Sequence, residues 1–355
     1  MTPSDDARKP SQDTPYAGLT PELVLDALDG VGFRGDGRLL QLNSYENRVF
    51  QVFLEDGSVV VAKFYRPGRW SDAQILEEHS FAVELASSEI PVVAPLQLAP
   101  TEDSRLKVSV NGATLAQADT SPERFRFSVS PRRSGHGPEL DDDATLARMG
   151  RFIGRMHAVG RRSNFMHRRD FSVQTIGMAS RDWLAEHRTV PDELESAWQT
   201  TVDAALAAAT RLFDECTELR PLRLHGDCHP GNVLWTDDGP HFVDLDDAAT
   251  GPAMQDLWML LSGDRAAMAR QLAVLLSGYD AFAEFNRHEL RLVEALRTLR
   301  MIHHSAWLAQ RWSDPAFPAA FPWFASSSYW SQQISQLREQ LEAMAQPPLS
   351  LPSRR

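Results

Sequence analysis

The sequence is poor in cysteine, has no excess of basic residues and contains no long apolar run. Two cysteines, Cys216 and Cys228, in 355 residues exclude a disulfide framework and fit a reducing compartment. Acidic side chains outnumber basic ones by 48 to 36, for a formal net charge of -12. That balance argues against nucleic acid or an anionic membrane as a partner. No stretch approaches the roughly 18 consecutive apolar residues of a membrane span. Met1 to Pro15 is rich in Pro, Ser and Asp and lacks an apolar h-region, so no secretory signal is expected. From these absences a cytoplasmic protein is expected. No internal repeat is present, and the length suits one large domain or two lobes.

What is there centres on Leu224-His225-Gly226-Asp227-Cys228-His229-Pro230-Gly231-Asn232-Val233-Leu234-Trp235, followed by Phe242-Val243-Asp244-Leu245-Asp246. An aspartate and an asparagine share a turn-rich loop, and a further carboxylate ends a short apolar strand. Phosphoryl transfer from a nucleotide needs a base that orients the attacking hydroxyl and oxygen ligands that hold Mg²⁺ on the phosphates. Asp227 suits the first role; Asn232 and Asp244 suit the second. His225, Asp227, Cys228 and His229 are too crowded for a tetrahedral zinc site. A plain β-turn explains Gly226, Pro230, Gly231 and Asn232, but not Asp227 together with the acidic pair Asp244 and Asp246.

Along the chain, residues 1–18 hold little apolar surface and are expected to be disordered. Thr20 caps a helix begun by Pro21. Strands are expected over 39–42, 48–54 and 58–65, the last two joined by an Asp56-Gly57 hairpin turn. A helix over 71–87 and strands over 107–110 and 125–129 follow. From Asp141 the pattern turns helical, the run Asp141-Asp142-Asp143 capping a helix rather than binding metal. Further helices are expected over 180–187, 192–215, 254–262, 264–284, 287–312 and 327–345. The tail from 346 to 355 is expected to fray. The fold class is therefore α+β: a β-rich N-terminal ATP-binding lobe over 19–130, a linker near 130–140, and a mainly helical catalytic lobe over 131–345. Trp307, Trp312, Trp323 and Trp330 are expected in the core, and Cys228 as a buried inert thiol.

A two-lobed phosphotransferase also needs a cation on the nucleotide phosphates and a tight loop over them. Lys63 ends the strand Val59-Val60-Val61-Ala62-Lys63, where a kinase places such a lysine; a snorkelling edge residue is the plain alternative. Its acidic partner is expected on the next helix. Glu78 is preferred, because Phe81, Ala82 and Leu85 follow it on the buried side; Glu77 stays open. The turn Asn43-Ser44-Tyr45-Glu46-Asn47-Arg48 between the first two strands contains no G-x-G-x-x-G, so Ser44 and backbone N–H groups would cradle the phosphates. Adenine is expected against the strand end Phe127-Ser128-Val129-Ser130.

Several strings together resemble one family: Ser44-Tyr45-Glu46-Asn47-Arg48-Val49, Val61-Ala62-Lys63-Phe64-Tyr65-Arg66-Pro67, Gln74-Ile75-Leu76-Glu77-Glu78-His79, His225-Gly226-Asp227-Cys228-His229, Phe242-Val243-Asp244-Leu245-Asp246-Asp247-Ala248, Gln255-Asp256-Leu257-Trp258-Met259, and Asp314-Pro315-Ala316-Phe317-Pro318. This set resembles the bacterial stress response kinase A family, within the aminoglycoside phosphotransferase and choline kinase group. The likeness covers roughly residues 20–340. It implies a bilobal protein kinase-like fold and an ATP- and Mg²⁺-dependent serine/threonine protein kinase linked to stress, autophosphorylating and monomeric. It implies Asp227 as catalytic base, Asn232 and Asp244 as Mg²⁺ ligands, Lys63 on the ATP phosphates and Asp256 as a brace of the catalytic loop. Asp246 would assist at a second metal or satisfy a loop.

Gly226 replaces the arginine of His-Arg-Asp in eukaryotic-type kinases, Leu245-Asp246 replaces Phe-Gly, and no Ala-Pro-Glu follows. Small-molecule kinases share these departures. A kinase acting on an amino alcohol, amino acid or antibiotic therefore stays open as the alternative. Glu289 and Glu294, read as exposed, are the residues that would attract a cationic acceptor there, with solvated charge as their plain reading. A binding-only module is the third reading.

Overall fold

The computed structural model describes residues 15–102, 104–120 and 123–351. Residues 1–14 and 352–355, within the segments expected to be disordered or frayed, lie outside the described residues. Tyr16 donates its hydroxyl to the Glu46 carbonyl at 3.1 Å, and Leu349 is buried. The chain is 46% helix and 17% strand, the α+β class expected. No helix among the described residues is long and apolar enough to cross a membrane.

Two compact units emerge, and they interleave in sequence. The first takes the described residues up to Trp70, then Leu98–Val129 and Trp307–Ala325; the second takes Ser71–Gln97, Ser130–Ala306 and the chain from Ser326 on. The single boundary drawn near 130 from the sequence does not include these exchanges.

The first unit holds α1 (Pro21–Asp29), capped by Thr20, and a six-stranded sheet of order β1-β2-β3-β6-β5-β4. Its strands are β1 (Gly35–Leu42), β2 (Arg48–Leu54), β3 (Val59–Phe64), β4 (Lys107–Asn111), β5 (Leu115–Asp119) and β6 (Arg124–Pro131). Strand alternation decides which side chains enter the core. In β3, Val60, Ala62 and Phe64 are buried, so Lys63 shares the other face with Val59 and Val61 and lies opposite Val49. β5 was not expected: Leu-Ala-Gln-Ala-Asp has little β-branched character, and its place is set by pairing with β4 and β6. Gly30-Val31-Gly32-Phe33-Arg34-Gly35 spells G-x-G-x-x-G, yet it joins α1 to β1 rather than two strands.

The second unit contains α2 (Asp72–Ser87), α3 (Asp143–Gly160), α4 (Ala179–Glu186), α5 (Asp192–Asp214), α6 (Gln255–Trp258), α7 (Arg265–Tyr279) and most of α8 (Val293–Gln310), with a last helix over Ser327–Met344. Ser71 and Gln74 form a capping box at the start of α2. Asp142 caps α3 by accepting from Thr145 N–H at 2.8 Å, the role expected for the acidic run. The helix expected over 254–262 shortens to α6, and Gly263, at φ +82, follows it. The one expected over 287–312 begins at Val293, because Asn286 caps a 3₁₀ stretch over Arg287–Leu292 first. Of the four tryptophans assigned to the core, Trp330 is buried and Trp323 is 44% exposed.

α3 and α7 cross so closely that side chains at the crossing have no room. A Cβ on Gly150 would lie 1.9 Å from the Leu275 carbonyl oxygen, and one on Gly278 2.0 Å from that of Ala147. This crossing sets His157 of α3 against Tyr279 of α7, Nδ1 to hydroxyl 2.9 Å.

Candidate active site

Short strands carry the site in the second unit. β7 (Leu222–Leu224) pairs antiparallel with β10 (Ala249–Gly251), and β8 (Val233–Thr236) with β9 (Gly239–Phe242). The loop after β7 bears Asp227, and the chain between β9 and β10 bears Asp244. Strand pairing therefore brings two segments distant in sequence to one place. Val233 pairs with Phe242, and Val243 N–H donates to the Asn232 carbonyl at 3.0 Å. Asn232 and Asp244 thus flank one backbone bond. Asn232 also donates its Nδ2 to the Asp227 carbonyl at 2.9 Å, which keeps its Oδ1 for the role of acceptor. Asp244 is exposed and sits in the left-handed region at φ 60 and ψ 64, a conformation that costs a non-glycine residue about 1–2 kcal/mol.

The loop is fixed from beneath. Asp256, fully buried, accepts His225 N–H and Gly226 N–H, both at 2.8 Å, and meets His157 Nε2 at 3.0 Å. Gln255 donates to the Gly226 carbonyl at 2.8 Å. Gly226 has φ +85, and a Cβ there would stand 2.1 Å from the Asp247 carbonyl oxygen. Both facts explain why glycine occupies the position of the kinase arginine. His225 donates Nε2–H to the Val243 carbonyl at 2.9 Å, tying the two segments together.

Arg300 of α8 donates to Asp227 Oδ1, and His229 Nε2 faces Oδ2 at 3.4 Å. His229 Nδ1 accepts from Gly231 N–H at 3.0 Å, so its proton belongs on Nε2. Burial alone would raise the Asp227 carboxyl; the His229 hydrogen bond and the Arg300 charge outweigh it and hold the group below its ordinary range. A base kept ionised suits proton acceptance. Cys228 is fully buried, and burial with the nearby Asp256 and Asp227 charges pushes its thiol well up, the inert state expected.

Ser44, Lys63 and Val129 belong to the first unit. Ser44 Oγ accepts from Asn47 N–H at 3.4 Å, Lys63 Nζ lies 5.3 Å from the Tyr65 ring centroid, and Val129 is fully buried. The Ser44 loop is held by ion pairs rather than by glycines. Glu46 accepts from Trp307 Nε1 and Arg311 Nε, each at 2.6 Å, and pairs with Arg66 Nε at 3.1 Å. Arg66 also reaches Asp314 at 2.7 Å. On α2, Glu77 accepts backbone N–H groups of Met166, His167 and Arg168, the last two at 2.8 Å. Glu78 is buried beside His79, 3.7 Å away. Asp246 is also buried.

Glu289 and Glu294 are not exposed, as had been expected, but 2% and 7% exposed. Glu289 accepts Met254 N–H at 2.9 Å, and Glu294 meets Arg297 at 3.2 Å. The contacts of Arg300 with Asp227 and of Arg311 with Glu46 went unseen in the sequence: they join residues 73 and 265 positions apart, with no local spacing to betray them.

A sequence profile of the phosphotransferase enzyme family matches residues 38–293. Stress response kinase A of Escherichia coli strain K12 is 43% identical over 336 residues, covering 95% of this chain and 97% of its own. The chain belongs to the stress response kinase A family. A relative in Salmonella typhimurium, serine/threonine protein kinase RdoA, is 42% identical over 336 residues with the same coverage, 95% and 97%. Two solved structures share the fold. An amicoumacin kinase in complex with AMP-PNP, Ca²⁺ and Ami has TM-score 0.68 at 18% identity, over 93% of this chain and 94% of that one. A microcompartment-associated aminopropanol kinase has TM-score 0.67 at 15% identity, over 92% and 98%. Membership of the family makes this chain a phosphotransferase with an ATP-using, kinase-like fold.

Proposed function

We propose that the protein is an ATP- and Mg²⁺-dependent serine/threonine protein kinase of the bacterial stress response. The observation that carries this reading is the grouping of Asp227, Asn232 and Asp244 on two strand ends tied by the Val243–Asn232 bond. The name of the Salmonella typhimurium relative supports the protein acceptor. Glu289 and Glu294, the candidate carboxylates for a cationic small-molecule acceptor, are buried and engaged and are not available for that role.

Asp227 accepts the proton of a Ser or Thr hydroxyl as its oxygen bonds to the γ-phosphorus and the bond from that phosphorus to the β-phosphate oxygen breaks, releasing ADP. No group of three or more His, Cys, Asp or Glu side chains among the described residues forms a metal cage. One asparagine oxygen and one exposed carboxylate fit Mg²⁺, which takes one or two protein oxygens and completes its shell with phosphates and water. Asn232 and Asp244 would hold it, and bound there it would neutralise phosphate charge. Lys63 and the Ser44 loop bind the ATP phosphates, and Val129 marks the strand end that receives adenine. Glu77 is committed to the backbone of 166–168, so Glu78 is the α2 carboxylate we assign to the nucleotide site.

The test is Mg²⁺-dependent transfer from γ-labelled ATP, to the protein itself and to a generic protein acceptor, followed by phosphoamino acid analysis. Label on serine or threonine supports the reading. No protein label, with ATP bound, moves the activity to a small-molecule acceptor.

A further inference from the structure

Both oxygens of the Asp227 carboxylate are engaged, one by Arg300 and one by His229. Each carboxylate oxygen can accept a further hydrogen bond, but a hydroxyl proton delivered to Oδ1 or Oδ2 competes with the partner already there. His229 is held within its own loop by the Gly231 N–H. Arg300 comes from a different element, α8, and its side chain is 42% exposed, so it is the partner that can be drawn away.

The charge around it is mixed, with Asp227 as its partner and Asp247 close enough to act on that base. Arg169 lies nearby in the same unit, paired with Asp247 at 3.1 Å and 3.5 Å from His303 Nε2. Arg168 donates to the carbonyls of Asp246 and Ala248. Glu294, also on α8, is engaged by Arg297 at 3.2 Å. A cationic group beside the accepting hydroxyl would face Arg300. An anionic group would take Asp227's place as its partner and free Oδ1.

We propose that Arg300 is a specificity-determining residue that caps the base until an Asp or Glu flanking the accepting Ser or Thr of a protein draws it off. The inference rests on the protein-kinase reading above. Arg300 then binds the flanking carboxylate while Asp227 takes the hydroxyl proton. Selection thus combines attraction of acidic sequences with repulsion of basic ones.

The experiment compares two peptides that differ only in the residues flanking one serine, aspartates in one and lysines in the other. The full-length protein is assayed with Mg²⁺ and labelled ATP. The expected kcat/KM is about tenfold or more in favour of the acidic peptide. Arg300→Glu should reverse the order, and Arg300→Lys should keep it in weakened form. Equal use of both peptides, or preference for the basic one, by wild type overturns the inference and leaves the protein kinase standing. An unchanged preference in a folded Arg300→Glu variant overturns it too; if that variant does not fold, the wild-type ratio decides. Label on neither peptide while ATP is still consumed overturns the protein-kinase reading and the inference with it.

Discussion

The Asp256 carboxylate holds Gly226 by its backbone, Oδ1 to N–H at 2.8 Å, while its other oxygen holds His225. One buried side chain thereby sets the path of the loop that carries Asp227. His157, placed by the α3–α7 crossing, meets the same carboxylate at 3.0 Å. Asp256→Ala strands two buried N–H donors and the imidazole. It is expected to cost about 3 kcal/mol of stability and to lower kcat more than it raises KM for ATP. Urea unfolding and steady-state kinetics measure both.

Gly226 meets two demands that no other residue meets together, a positive φ and a Cβ-free approach to the Asp247 carbonyl. Gly226→Ala is expected to lose most phosphoryl transfer while the protein stays folded. Gly226→Arg, which restores the residue of eukaryotic-type kinases, should do worse. Activity in Gly226→Arg equal to wild type would remove the steric explanation.

Much of this architecture is legible in the chain because local rules and tertiary demand agree. Thr20 and Asp142, the latter in the acidic run, cap the helices expected there, and the alternation in β3 places Lys63 away from Ala62 and Phe64. The Asp227, Asn232 and Asp244 grouping was legible as a motif, since one loop and one strand end carry it. β5 was not, because its alanines carry no strand signal. The burial of Glu289 was not, because a carboxylate followed by Leu290 and Arg291 reads as surface until Met254 N–H is seen to need it. Arg300 reaches Asp227 from 73 positions away, a relation only the packed fold creates.

Glu46 gathers charge at the Ser44 loop. Arg66 and Arg311 pair with it, and Trp307 donates to it. Glu46→Ala leaves two largely buried guanidinium groups without this partner, at an expected cost of about 3–5 kcal/mol. Glu46→Gln, milder, is expected to raise KM for ATP several-fold with a smaller change in kcat. An unchanged KM in a folded variant would detach this clamp from nucleotide binding.

Glu289 gives a pH signature. Burial pushes its carboxyl up to about 7, against the partial relief of the Met254 N–H. The folded state therefore binds a proton that the unfolded state releases above its ordinary value of 4.5. Stability from this group is fully present at low pH and is lost as pH rises from about 4.5 towards 7. The shift corresponds to an effect on the order of 3 kcal/mol. Glu289→Gln should flatten that part of the profile and be more stable than wild type at pH above 7. Denaturation midpoints across this range measure it; a parallel slope in both proteins would contradict the assignment.

The most direct measurement is the single-turnover rate of γ-phosphate transfer by wild type and Asp227→Ala at saturating ATP and Mg²⁺, with nucleotide affinity and unfolding followed in parallel. A base held ionised by His229 and Arg300 implies a loss of roughly 10²–10⁴ in rate, with nucleotide affinity and fold retained. Transfer by Asp227→Ala at near the wild-type rate would contradict the account, since no proton acceptor would then be needed at that carboxylate.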